Sequence, residues 1–156
     1  MSRVTLNKRD VKELNKEIQE KYGVEEFFGK DDKVSVIDDT YILRYNELVL
    51  FYKEDLLLPT LRLILQDNFL KKVVVDMGAV PFAAKGADMM RPGIIEVDTE
   101  VEQDDIVAIV DEKNRKPIAI GQTLFSKDEM LMMDRGKMVL NIHHVGDDIW
   151  KMGSPD

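Results

Sequence analysis

A chain of 156 residues with 44% apolar side chains is long enough for one domain or two small ones, and apolar enough to build a core. It has no cysteine, which excludes a disulfide scaffold and a thiolate metal site, and no apolar run approaches the length of a bilayer span. The net charge is −8, with eleven basic against fourteen acidic side chains in residues 1–70 and eleven against sixteen in residues 71–156. That excludes a broadly basic coat, so any nucleic-acid site has to be a local patch on an acidic body. The opening MSRVTLNKRDV lacks the apolar stretch of a signal peptide, and the expectation is a soluble, cytoplasmic protein with no membrane association.

In chain order, Asp10-Val11-Lys12-Glu13 reads as a capping box. The helix it opens repeats Leu14, Ile18 and Tyr22 at i, i+4, i+8 and stops at Gly23. Residues 33–38 alternate as a half-buried strand, broken by Asp38-Asp39, and residues 41–45 and 48–52 form a hairpin around Asn46-Glu47. Leu56-Leu57-Leu58-Pro59 is expected to lead into a helix over about residues 59–66, with the proline in its first turn. A domain junction is expected within residues 66–72, dividing the chain into residues 1–70 and 71–156.

The second half opens with the strand Val73-Val74-Val75, which ends at Asp76 and turns at Gly78. A short helical piece, a glycine turn at Gly86-Ala87 and Arg91-Pro92-Gly93 lead into the strand Ile94–Val97. Glycine allows positive φ and close approach of another backbone, so this corner suits a small barrel, or a place where an RNA strand nears the main chain. Further strands are expected over residues 106–110, 118–123, 138–142 and 148–151, with a short capped helix from Ser126. Short strands with turns this frequent predict a small closed barrel, and the fold class is α+β.

Several constellations are read as structural. His143 and His144 are adjacent on a strand and point to opposite faces, so no metal site is expected there. Asp76 stands at a strand end, where a carboxylate accepts turn amides. There is no Ser/His/Asp elbow, P-loop or GxGxxG, so neither catalysis nor a cofactor is expected. The acidic run over residues 96–105 reads as a solvated edge and loop, with a face that orients RNA or meets a basic partner as its alternative; Met130-Leu131-Met132-Met133 with Met89-Met90 reads as core filling, with an adaptable interface as its alternative.

The ordered pieces Asp76-x-Gly78-Ala79, Gly86-Ala87-x-x-Met90-x-Pro92-Gly93, Asp105-x-Val107-x-x-Val110, Pro117–Gly121, Gly136–Val139 and His143-x-x-Gly146-Asp147-x-x-Trp150 resemble a PUA domain (pseudouridine synthase and archaeosine transglycosylase). The closing segment Asn141–Trp150 resembles that of the malignant-T-cell-amplified-sequence family and its archaeal relatives. The resemblance implies a small α+β pre-PUA domain over residues 1–70 and a PUA pseudo-barrel over residues 71–156. It also implies an RNA groove between the helix after the first barrel strand and a late strand. Lys85 and Arg91 flank the Gly86-Ala87 turn and Lys137 follows Gly136, so these three would line the groove as phosphate contacts. Gly86 and Ala87 would give backbone access, and Lys72 would extend the patch.

The function this implies is noncatalytic binding of structured RNA, a tRNA acceptor end or ribosomal RNA, in translation initiation or ribosome recycling on the small ribosomal subunit. Residues 1–70 carry no coherent basic stripe and would offer a protein-binding surface; in eukaryotic relatives a partner, density-regulated protein, supplies an initiation-factor-like domain. Two other readings stand beside it: an RNA-targeting subunit of an archaeosine-type tRNA transglycosylase, and an acidic protein-interaction module.

Overall fold

The computed structural model describes residues 2–153 and divides into two compact units, residues 1–60 and 61–156. In the first unit, strand β1 (Arg3–Thr5) and helix α1 (Lys8–Tyr22) precede β2 (Val34–Ile37), β3 (Tyr41–Arg44), β4 (Glu47–Lys53) and β5 (Leu56–Pro59). The five strands form an antiparallel sheet in sequential order. Helix α1 buries Leu14 and Ile18 and ends on Gly23 in the left-handed region (φ 72°), as its spacing predicts. Its cap is Asn7, not Asp10: the Asn7 side chain accepts the Asp10 N–H at 2.8 Å, and Asp10 lies inside the first turn. The aspartates at 38 and 39, both at positive φ (53° and 52°), make the β2–β3 turn.

Leu56–Pro59 is a strand, and the helix expected after it does form but begins at Leu61, so Pro59 stands outside it. Leu57 and Leu58 are buried, and Pro59 pairs with Leu50 on the sheet's edge, where a missing N–H costs no ladder bond.

The second unit starts with α2 (Leu61–Gln66), which buries Leu61, Leu63 and Ile64 and packs against β10. The division therefore falls between Thr60 and Leu61, ahead of the expected junction in residues 66–72. Then follow β6 (Lys71–Val75), α3 (Val80–Ala84), β7 (Met89–Met90), a 3-10 turn (Arg91–Gly93), β8 (Ile94–Val97), β9 (Ile106–Asp111), β10 (Pro117–Thr123), α4 (Lys127–Met132), β11 (Lys137–His144) and α5 (Asp148–Met152). The sheet order is β7-β11-β10-β9-β6-β8, with β6 and β9 parallel and the other pairs antiparallel.

The two outermost strands of that order, β7 and β8, are joined by only the three residues of the 3-10 turn. So short a link spans at most about 12 Å, so the six-stranded sheet curls until its edges meet. This is the small closed barrel that the strand spacing predicts. Val73, Val75, Val107, Ile109, Met130, Met138 and Val139 fill its core. Curling requires close strands: a Cβ added at Gly121 would stand 2.6 Å from Val139 Cγ1 and 2.8 Å from the Leu140 carbonyl, beside a register shift at Ile120/Gly121.

Residues 148–151 are helical where a strand was expected. Asp147 caps α5 by accepting the Trp150 N–H at 2.9 Å, and the Arg62 guanidinium sits 3.8 Å from the Trp150 ring centroid. The same carboxylate binds Nδ1 of the fully buried His143 at 2.9 Å, while His143 Nε2 accepts the Leu61 N–H at 2.9 Å. His143 thus fastens the start of α2 to the end of β11. No described helix is long and apolar enough to cross a membrane.

Candidate nucleic-acid interface

The strand β6 delivers its chain to Asp76, and the local chemistry there is an aspartate turn. The Asp76 N–H donates to the Gly93 carbonyl at 2.9 Å, and its side chain accepts the Ala79 N–H at 2.8 Å. This starts α3, with Pro81 in its first turn. Between the Asp76–Ala79 turn, α3, β7 and the 3-10 turn lies a cavity of about 420 Å³ whose lining includes Gly78, Phe82, Ala87, Asp88, Met90 and Pro92. Phe82 is 64% exposed, and Met77 and Met90 are also open to solvent. An exposed aromatic ring at the mouth of a largely apolar hollow is an arrangement on which an unstacked base can lie.

The far wall is held by Asn141 on β11. Its side-chain amide donates to the Ala83 and Ala87 carbonyls at 3.0 and 3.1 Å, and its N–H donates to Asp88 Oδ1 at 2.8 Å. Asp88 Oδ2 in turn meets Lys137 Nζ at 3.0 Å. Burial pushes the Asp88 carboxyl up, but the Asn141 N–H and the Lys137 ammonium outweigh it and hold it below the usual carboxylate range. Both acidic side chains of the cavity are thus committed to hydrogen bonds.

The expected site residues separate into distinct roles. Lys85 is exposed and forms no ion pair among the described residues. Lys137 stands across from Met90 in the β11–β7 pairing, on the same side of the barrel, but shares its charge with Asp88. Ala87 lines the cavity.

Arg91 turns inward. Its Nε donates to the Met130 and Met133 carbonyls at 2.8 and 3.1 Å, its Nη1 to the Ile94 carbonyl at 2.9 Å, and its backbone N–H to Gly136. Those bonds tie the 3-10 turn to α4 at the closure of the barrel.

Gly86 has φ +94°, as a glycine turn requires, but an added Cβ would stand 2.8 Å from Nε2 of His144. The space above Gly86 is occupied by that imidazole, whose Nδ1 donates to the Ala84 and Val145 carbonyls at 3.1 and 2.9 Å. Lys72 lies at the opposite end of β6, four residues and about 13 Å of strand from Asp76. The structure therefore gathers Lys85, Ala87 and Lys137 near the cavity, gives Arg91 and Gly86 architectural roles, and sets Lys72 apart.

Phe82, Asn141 and His144 were not expected as parts of this region. Phe82 resembles any apolar residue of a short helix until its exposure is known, and the partners of Asn141 lie 53–58 residues away.

The PUA domain family model matches residues 71–145. An uncharacterised protein of Methanocaldococcus jannaschii is 41% identical over 95% of this chain and 94% of its own length. Translation machinery-associated protein 20 of Schizosaccharomyces pombe is 32% identical over 84% of this chain and 78% of its own length. The zebrafish protein malignant T-cell-amplified sequence 1 is 31% identical over 79% and 73% of the respective chains. Among solved structures, a hypothetical protein from Pyrococcus horikoshii superposes with a TM-score of 0.84 at 33% identity, covering 98% of this chain and all of that one.

Proposed function

The chain belongs to the PUA-domain family that includes translation machinery-associated protein 20 and malignant T-cell-amplified sequence 1, and from that premise we propose that it binds structured RNA without catalysis. The observation that carries this reading is the cavity beside α3, with Phe82 exposed at its mouth, Lys137 bonded to its Asp88, and Lys85 exposed three residues after Phe82. An unpaired terminal base of a tRNA acceptor end or of ribosomal RNA stacks on Phe82, and Lys85 neutralises a neighbouring phosphate. What supports a noncatalytic reading is that Asp76 and Asp88, the acidic side chains of the cavity, are bonded to the turn and to the Asn141–Lys137 link.

The biological setting is translation, on the small ribosomal subunit, with the first unit holding a protein partner. The translation-associated relative supports this over a role as targeting subunit of a tRNA-modifying enzyme.

The direct test is binding to an acceptor-stem hairpin across a salt series. Phe82→Ala should weaken binding by about 1–3 kcal/mol with little change in salt slope. Lys85→Ala should lower the log–log slope by roughly 0.7–0.9 and act equally on different sequences. Lys16→Ala, on the first unit, serves as the off-site control. Equal binding by all three variants would remove the cavity from the RNA reading and bring the acidic protein-interaction reading forward. Copurification with ribosomal subunits rather than with a transglycosylase chain distinguishes the two RNA readings.

A further inference from the structure

The first unit contains a second cavity, of about 370 Å³, between the start of α1 and the loop that follows the helix. Its apolar lining comes from Leu6, Val11 and Phe28, and three ammonium groups surround it: Lys8 and Lys12 from α1 and Lys30 from the loop. Lys8 and Lys12, like Val11 and Asn15, are four apart and share one helix face.

The loop is fixed in place. The Asn15 side chain accepts the Phe28 N–H and donates to the Phe28 carbonyl, both at 2.9 Å. Asp32 Oδ2 accepts the Gly29 N–H at 2.8 Å, and Phe27 packs edge-on against Phe28 with Arg44 over its ring. The cavity is therefore preorganised, which lowers the ordering cost of an occupant.

The charges are not explained by the fold. Lys8, Lys12 and Lys30 are exposed, and none is in an ion pair among the described residues, although the chain carries −8 overall. Lys8 is the first residue of α1, where the helix dipole is positive and a cation is disfavoured. Three unpaired ammoniums around an apolar hollow are complementary to a ligand with an apolar centre and carboxylates on either side.

We propose that this cavity docks an acidic peptide segment of a partner protein, inserting one bulky apolar side chain between Val11 and Phe28 while flanking carboxylates meet Lys8, Lys12 and Lys30. This rests on the reading that the first unit holds the protein partner, and it names the chemistry of that partner. A peptide fits better than RNA because the aromatic ring of the lining, Phe28, is buried and offers no open face on which a base could stack, while the hollow accepts an apolar side chain.

The test uses the full chain and a fluorescein-labelled peptide with Leu-Phe set between two Asp-Glu pairs, read by anisotropy. Saturable binding is expected in roughly the 10–100 μM range of a single small pocket. It should weaken on the order of tenfold in the Lys8→Gln/Lys12→Gln double variant, which changes only exposed side chains, and by a similar factor when Ser-Ser replaces Leu-Phe. Acceptor-stem RNA binding should be unchanged in that variant.

No saturable binding, equal binding of the Ser-Ser peptide, or full affinity in the double variant overturns the proposal. So does displacement of the peptide by the RNA hairpin, which would make this cavity part of an RNA surface. Cosedimentation of the wild-type chain with ribosomal subunits is measured alongside. If it persists while the peptide fails, the cavity alone is wrongly assigned; if it is absent, the translation reading fails independently.

Discussion

Replacing Arg91 separates a phosphate contact from a structural clamp. In the structure its guanidinium makes two donor commitments, Nε divided between the Met130 and Met133 carbonyls and Nη1 to the Ile94 carbonyl. Hydrogen bonds from a charged group contribute about 1.5–3 kcal/mol each. The side chain is only half-buried and the Nε bond is shared, so two bonds at the lower end give about 3 kcal/mol for Arg91→Ala. For a unit of this size each kcal/mol shifts the midpoint by about 4–8 °C, so a fall of roughly 12–24 °C is expected in a thermal melt followed by circular dichroism. Arg91→Lys keeps the charge but lacks the planar fork, and should recover little of that loss. Hairpin RNA binding, measured well below the midpoint, should stay within about twofold of wild type with an unchanged salt slope. A melt unchanged in both variants, joined to a slope lowered by roughly 0.8 in Arg91→Ala alone, would show that the guanidinium faces phosphate and refute the clamp.

The buried His143 should make stability depend on pH. Burial lowers its affinity for a proton and outweighs the opposing effect of Asp147, so the unfolded chain binds more protons as pH falls below about 6.5, and stability should decline from there toward the lower folded pKa. Urea melts at a series of pH values should show that decline in the wild type and a flatter profile in His143→Gln. Gly121→Ala places a methyl 2.6 Å from Val139 Cγ1 and 2.8 Å from the Leu140 carbonyl, and should cost about 1–3 kcal/mol or more in a denaturant melt. Asn7→Ala removes the cap on the Asp10 N–H and should cost about 1 kcal/mol in the same assay, whereas Asp10→Ala should leave the cap intact.

What the sequence reveals here is set by the range of the interactions. Gly23, the Ser126–Glu129 capping box and the apolar Val73–Val75 are local signals, and each appears in the structure where its spacing puts it. Asn7 rather than Asp10 caps α1 because the Val11 N–H already donates to the Asn7 carbonyl, so the helix starts at Lys8 and takes Asp10 into its first turn. Strand β1 escapes notice because three exposed residues carry no period. Residues 148–152 are too few to tell strand from helix by pattern, and the deciding contact is the Asp147 cap together with the Arg62–Trp150 stack. The site follows the same rule. Lys85 and Ala87 are legible from the turn they occupy, whereas the inward path of Arg91 depends on carbonyls 39 and 42 residues downstream. The closing of Gly86 by His144 depends on a residue 58 positions away.

The acidity of the chain and an RNA-binding role are compatible because stacking on an exposed ring does not depend on net charge, while many of the carboxylates serve the fold. Asp76, Asp105, Asp111 and Asp147 each accept backbone N–H groups at turns and helix starts, Asp98 accepts the Lys72 N–H of β6, and Asp88 is paired with Lys137. Hydrogen bonds of this kind do not cancel the net charge of −8, so the field over the barrel does not become attractive to a polyanion. They also leave few cations beside the cavity: Lys85 unpaired, and Lys137 at the cost of its bond to Asp88. Affinity must then come mainly from stacking on Phe82 and from the shape of the cavity, with one or two phosphates contributing. That balance sets the expected log–log salt slope at about −0.7 to −1.8, far shallower than for a basic RNA binder. It favours an unstacked RNA end over bulk duplex, because a duplex offers phosphates in number but no free base face to Phe82. A slope several-fold steeper than this would place the main contact on a basic surface elsewhere. Loss of binding when the hairpin's single-stranded end is removed would confirm that the cavity takes the end.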